Sequence, residues 1–138
     1  MNLTQKKILI TGGAGFIGSH LAESLIEYDN KVTVFDILDN NYTSKEKNIK
    51  KLQHHPNFTF IKGNILNYVH LKQSTKNINI IFHLAAKPGV RYSLIHPIIT
   101  NAINTTGTLN VLEAAKTNNV EKVINISSSS VYGDQDIM

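Results

Sequence analysis

A chain of 138 residues is one domain's worth, enough to bury a single sizeable core. With 41% hydrophobic and 17% charged residues, its composition is that of an ordinary globular protein and excludes a disordered chain. Cysteine is absent, which excludes a disulfide framework and thiolate metal sites, and the net charge of +4 raises the question of a nucleic-acid partner.

Residues 1–7 run directly into Ile8-Leu9-Ile10, an apolar stretch too short for a signal-peptide core. The later run from Ile78 to Ala86 contains Asn79 and His83 and is too short to span a membrane, so a cytoplasmic protein is expected. Lys7 to Thr11 reads as a strand. Gly15 to Tyr28 reads as a helix, with Ile17, Leu21 and Leu25 about one turn apart. Val32 to Phe35 reads as a second strand, and a helix follows from about Ser44 to Gln53, with Pro56 marking its exit.

Phe58 to Ile61 is the third expected strand, and Tyr68 to Lys76 a short helix. Ile78 to Leu84 is the fourth strand, almost continuously apolar, as expected when both faces are covered. Pro97 suits the first turn of a long helix. Ile99, Ala102, Ile103, Leu109, Leu112 and Ala115 keep the helical period up to Asn118-Asn119, and Lys122 to Ile126 is the fifth strand. Such alternation predicts right-handed crossovers and a doubly wound parallel α/β sheet, a Rossmann fold, with strand order 3-2-1-4-5.

The basic residues cluster at Lys45, Lys47, Lys50 and Lys51, with Glu46 among them and Ile49 and Leu52 at helical spacing. No aromatic residues are interleaved for base stacking, so a solvated helix face is expected and no nucleic-acid partner. The six histidines give no metal site, because neither their spacing nor any nearby carboxylate suits one. His54 and His55 are adjacent, and His83 reads as a core histidine.

The chemistry is concentrated in Thr11-Gly12-Gly13-Ala14-Gly15-Phe16-Ile17-Gly18, between the first strand and the first helix. Both Gly-x-Gly-x-x-Gly (Gly13, Gly15, Gly18) and Gly-x-x-Gly-x-x-Gly (Gly12, Gly15, Gly18) fit. Such glycines permit a tight turn, a close approach of backbone N–H groups to a pyrophosphate, and close packing of helix on strand. The helix start adds a partial positive charge beneath the phosphates. Asp36 ends the second strand, where a carboxylate accepts from a ribose 2′-OH and repels a 2′-phosphate. That favours NAD over NADP, and no arginine lies nearby to argue otherwise.

These residues, from Thr11-Gly-Gly-Ala-Gly-Phe-Ile-Gly-Ser-His-Leu21, resemble the extended short-chain dehydrogenase/reductase superfamily. Lys62-Gly-Asn-Ile-Leu-Asn67 is similar to its Gly-Asp-hydrophobic motif, and His83-Leu-Ala-Ala-Lys-Pro-Gly-Val-Arg-Tyr-Ser93 to its His-x-Ala-Ala segment. Asn104-Thr-Thr-Gly-Thr108 resembles Asn-x-x-Gly-Thr, and Ser127-Ser-Ser-Ser-Val-Tyr-Gly133 the serine-rich Val-Tyr-Gly segment of sugar-nucleotide epimerases. The Ala-Lys-Pro-Gly-Val-Arg-Tyr-Ser stretch is most similar to uronic-acid and N-acetylhexosamine 4-epimerases.

The resemblance implies that Gly12, Gly13, Gly15, Phe16, Ile17 and Gly18 meet the pyrophosphate and that Asp36 holds the adenosine ribose. Asn64 and Ile65 would flank adenine, Leu84, Ala85 and Ala86 would line the dinucleotide, and Asn104 would brace the site. Ser128 takes the catalytic serine position, hydrogen-bonding the sugar hydroxyl that is oxidised. Gly89, Arg91, Ser127 and Ser129 join it as substrate contacts. The implied reaction is transient oxidation of a hexose carbon by NAD and return of hydride to the other face, on a UDP-sugar, in a homodimer.

Asn64 stands where the family usually has Asp; its amide oxygen can still accept from the adenine amino group. The family's catalytic Tyr-x-x-x-Lys lies beyond the serine segment, so residues 1–138 are expected to be an incomplete NAD-binding domain, lacking that pair and inactive alone. A stand-alone NAD-binding module is a second reading. A sugar dehydratase is a third, although those enzymes usually carry Thr-Asp-Glu before Val-Tyr-Gly, where Ser128-Ser129-Ser130 stands here.

Overall fold

A computed structural model describes residues 3–38 and 44–133. Five parallel strands, β1 (Lys7–Thr11), β2 (Lys31–Asp36), β3 (Phe58–Lys62), β4 (Ile80–His83) and β5 (Lys122–Asn125), form one sheet in the order β3-β2-β1-β4-β5. The expected order is thus observed. Helix α1 (Phe16–Glu27) and α2 (Ser44–Ile49, continued by a 3₁₀ turn over Lys50–Leu52) follow β1 and β2, and α3 (Tyr68–Ser74) follows β3.

Alternation along the strands sends side chains into two separate cores. Ile8, Ile10, Val32 and Val34 pack with Ala22, Leu25 and Ile26 of α1 and with Ile49 and Leu52. Leu9, Phe35 and Ile81 point to the opposite face and pack with Leu71, Val111, Ala114 and Ala115. A strand buried on both sides must be apolar at nearly every position, which is why the central strands β1 and β4 read as almost continuous apolar runs. At the end of the sheet remote from the C-terminal strand ends, Lys6 Nζ lies 3.1 Å from Glu121 Oε2, and Asn79 Nδ2 donates to Glu121 Oε1 at 2.7 Å. These bonds hold the Glu121 carboxyl below its usual range, the contact with Lys6 contributing most.

Two elements differ from the sequence expectation. A short helix, α4 (Val90–Ile95), lies between Gly89 and Pro97; fewer than two turns leave too little periodicity to register. The expected long helix is α5 (Pro97–Asn101), a π-helical turn (Ala102–Thr106) and α6 (Gly107–Thr117), helical throughout but widened in the middle. Such turns cluster at functional sites. Gly107 accounts for part of the packing there: a Cβ on it would lie 2.4 Å from Ile65 Cδ1, so its bareness lets Ile65 seat against the helix. Among the described residues, no helix is long and apolar enough to cross a membrane.

Candidate functional site

The sheet order reverses at β1, whose neighbours β2 and β4 send their following chains to opposite faces. Loops diverge at such a point and leave a crevice at the carboxyl ends of the strands. Here the crevice is a groove of about 430 Å³, within the range of small-molecule sites, lined by Gly12, Gly15, Asp36, Asn64, Ile65 and the segment from Leu84 to Pro88, among others.

Gly12 turns the chain out of β1 with φ +70, where an L side chain is strained. Its N–H donates to Phe35 O at 2.8 Å, which ties the turn to the end of β2. Gly15 N–H donates to Gly12 O at 3.1 Å and closes the turn. Gly18 is buried one helical turn on, where a Cβ would sit 2.6 Å from Gly13 Cα and 2.7 Å from Gly12 O, so only glycine lets α1 approach so closely. Gly13 is buried against Val34, and of the glycines in the two overlapping patterns Gly12 and Gly15 line the groove, both belonging to the Gly12, Gly15, Gly18 register. α1 starts at Gly15 with no side-chain cap and no acidic residue in its first turn. With Gly15 in the groove lining, this positive helix end stands at the groove with no side chain of its own to cap or neutralise it.

Asp36 is buried at the groove's edge. Its Oδ2 accepts from Ala14 N–H at 3.2 Å, and its Oδ1 from Leu38 N–H at 3.0 Å. The acid thus fastens the glycine turn to β2 as well as facing the groove. Lys45 Nζ also donates to Oδ1, at 3.0 Å. The lysine cluster of α2 is therefore not wholly a solvated face: Lys45 reaches into the site, a correction that spacing alone could not supply, because the approach depends on how α2 packs.

On the other side, β4 ends at His83, which is buried beneath the groove wall. Thr108 Oγ1 donates to Asn104 O at 2.7 Å, so at 3.0 Å from His83 Nε2 it is left to accept. Nε2 then carries the proton, and Nδ1 accepts from Thr11 Oγ1 at 2.6 Å, while Thr11 Oγ1 receives Ala85 N–H at 3.4 Å. Burial lowers the His83 pKa and keeps the ring neutral. Asn104 clasps the next segment in both directions: Lys87 N–H donates to its Oδ1 at 2.7 Å, and its Nδ2 donates to Lys87 O at 3.1 Å. This network fixes Ala85, Ala86 and Lys87 along the groove. The Lys87 ammonium lies 4.5 Å from the centre of the Tyr92 ring.

Eight expected residues, Gly12, Gly15, Asp36, Asn64, Ile65, Leu84, Ala85 and Ala86, meet in the groove lining. Asn64 turns its Oδ1 onto Leu66 N–H at 2.9 Å, and the buried Ile65 forms part of the floor. The Phe16 and Ile17 side chains are exposed beside the helix start rather than in the groove. Asn104 braces the wall from behind. Gly89 opens α4 with φ +113, Arg91 is exposed, and Ser127, Ser128 and Ser129 are exposed just past β5; none of these lines the groove. Sequence reading missed Lys45, Lys87, Tyr92, Ile99 and Ile103, all in the lining. Lys87 and Tyr92 stood inside the His83–Ser93 motif segment, and Ile99 and Ile103 on one stripe of a helix already expected, whereas Lys45 was read only as part of a solvated face.

The expected lack of any Tyr-x-x-x-Lys also needs correction, because Tyr68 and Lys72 have that spacing. They stand on α3, where Tyr68 Oη lies 3.4 Å from Thr117 Oγ1, and neither lines the groove. The spacing there belongs to the packing of α3 against α6.

Comparison with known proteins places this geometry. A family model described as GDP-mannose 4,6 dehydratase matches residues 9–137. An uncharacterised UDP-glucose epimerase of Bacillus subtilis (strain 168) is 42% identical over 136 residues, covering 94% of this chain and 42% of its own. The chain thus spans between about a fifth and two fifths of the length of the curated relatives it matches. The structure of a UDP-N-acetylglucosamine 4-epimerase from Methanobrevibacter ruminantium M1, in complex with UDP-N-acetylmuramic acid, matches with a TM-score of 0.88 and 39% identity over 98% of this chain and 42% of that one. That of a UDP-glucuronic acid 4-epimerase from Bacillus cereus, in complex with UDP-glucuronic acid and NAD, matches with 0.82 and 38% over 94% and 42%.

Proposed function

The chain belongs to the GDP-mannose 4,6 dehydratase family, within the extended short-chain dehydrogenase/reductase superfamily, and from that membership we propose that residues 1–138 are the NAD-binding domain of a nucleotide-sugar 4-epimerase. One observation carries the cofactor: the Gly12–Gly15 turn and the uncapped start of α1 share a groove with the buried acid Asp36. The residues fit the group. A Cβ on Gly15 would meet only Gly12 O, at 3.2 Å, so a side chain there would project into the groove where a pyrophosphate must lie.

In this reading the first N–H groups of α1, at Phe16 and Ile17, hold the pyrophosphate, and Asp36 accepts from the adenosine ribose. Asn64 and Ile65 border the adenine. Ala85 and Ala86 are small enough to let the dinucleotide lie against β4, and Asn104 keeps their segment in place. NAD supplies the reversible acceptance of hydride from a sugar carbon. Ser128 orients the hydroxyl at that carbon, with Gly89, Arg91, Ser127 and Ser129 as further contacts to a UDP-sugar. Epimerisation is preferred to dehydration because Ser128-Ser129-Ser130 precedes Val131-Tyr132-Gly133. The complete enzyme is read as a homodimer, supported by the exposed Leu94, Ile95 and Ile98 on α4 and α5.

Calorimetric titration of residues 1–138 with NAD tests the cofactor. Saturable binding is expected, weakened at least about tenfold in Asp36→Ala, the loss of about one charged hydrogen-bond acceptor. Equal binding by the variant would remove the ribose assignment. Residues 1–138 alone are expected not to interconvert a UDP-hexose pair. In a protein of the relatives' full length carrying this segment, a C4 epimer seen by NMR supports the reading, whereas a 4-keto-6-deoxy product would make it a dehydratase.

A further inference from the structure

The Asp36–Lys45 pair bears on which dinucleotide the groove admits, an inference that rests on the cofactor reading above. The Asp36 side chain is only 2% exposed and that of Lys45 24%, and both line the groove. Three donors already converge on the carboxylate: Ala14 N–H, Leu38 N–H and Lys45 Nζ. A carboxylate offers about four lone-pair sites, so about one remains for a ribose hydroxyl. The neighbouring hydroxyl, or a phosphate carried on it, then falls to the ammonium.

Charge points the same way. A bare carboxylate at the end of β2 would repel a 2′-phosphate, but an ammonium 3.0 Å from its Oδ1 offsets that charge locally. Lys45 is also a donor that a phosphate oxygen accepts, a compact charge on a flexible four-carbon stem rooted on α2. We infer that Lys45 sets the preference for the 2′-substituent, so that this site takes the 2′-phosphorylated dinucleotide as well as the unphosphorylated one.

The test is calorimetric titration of the 138-residue chain, in parallel with NAD and NADP, for the wild type, Lys45→Met, Lys45→Gln and Lys45→Arg, each checked for folding by circular dichroism. The wild type is expected to bind NADP within about tenfold of NAD, and Lys45→Met to widen that ratio by about tenfold or more, as loss of a charged hydrogen bond to phosphate requires. Lys45→Arg should keep the ratio within about threefold of wild type, and Lys45→Gln should behave as Met does and replace it should Met not fold. A wild-type ratio beyond about a hundredfold, or a ratio unmoved beyond about twofold in the neutral variants while NAD still binds, overturns the inference and leaves the cofactor reading standing. A folded wild type that binds neither dinucleotide overturns both.

Discussion

Asp36 shows at the scale of one residue how an acid proposed for recognition also serves as structure. Its carboxylate joins the glycine turn to β2 through Ala14 N–H and is met by Lys45, so a change there loosens the turn as well as the proposed ribose contact. Gly18 is the sharper probe of the turn itself. Gly18→Ala should lower stability by about 2 kcal/mol or more, because its methyl group would meet backbone that cannot yield. An unchanged thermal midpoint by calorimetry would show that α1 can slide away from the turn. His83 gives a pH dependence. Burial lowers its folded pKa below the ordinary 6.5, so the unfolded chain takes up its proton first as the solution is acidified. The contribution of His83 to stability is full above pH 6.5 and is lost as pH falls from there through the lowered folded value. Denaturant titrations should therefore show stability falling over that interval, and less steeply in His83→Gln; parallel profiles would exclude His83 as the source.

At the scale of elements, the groove wall depends on one clasp between a helix and a loop. The π-helical turn carries Ile103 into the lining and Asn104 against the Lys87 backbone. Asn104→Ala removes two hydrogen bonds and should cost about 1–2 kcal/mol. Amide exchange measured by mass spectrometry should quicken in the segment from Ala85 to Val90 and stay unchanged in β1. Uniform quickening would mean that the whole sheet, and not this wall, depends on the clasp. The Asn-x-x-Gly-Thr pattern marked Asn104 as a brace, but nothing in it disclosed the widened turn. The widened turn shifts the helix face: Leu109 and Leu112, on the expected stripe, are exposed, while Val111 and Ala114 are buried, an offset that the spacing of apolar residues did not announce.

For the whole molecule, the sheet has two edges, β3 and β5, and large apolar side chains stand exposed on α4, on α5 and just past β5. Leu94, Ile98 and Val131 are exposed at 77%, 86% and 67%, too much for a chain that stays dispersed at high concentration. Residues 1–138 should self-associate in sedimentation velocity as concentration rises, and Leu94→Glu with Ile98→Glu should reduce this. A strictly monomeric wild type would show that this face tolerates water.

Strand order, the glycine turn and the acid that ends β2 beside it were all legible in the chain itself, because each rests on local chemistry: apolar runs buried on two faces, a turn that admits only bare backbone, and an acid at a strand end. Which of the two overlapping glycine patterns faces the groove was not, since both satisfy the same spacing and only the packing of Gly13 against Val34 separates them. Lys45 on Asp36, the His83 link between Thr11 and Thr108, and the placing of Tyr68 and Lys72 away from the groove likewise join residues far apart in sequence or set one face of a helix against its neighbours. Spacing fixes which residues can share an element. Which of them meet across elements is decided when the two cores close on the sheet, and that is a property of the folded chain alone.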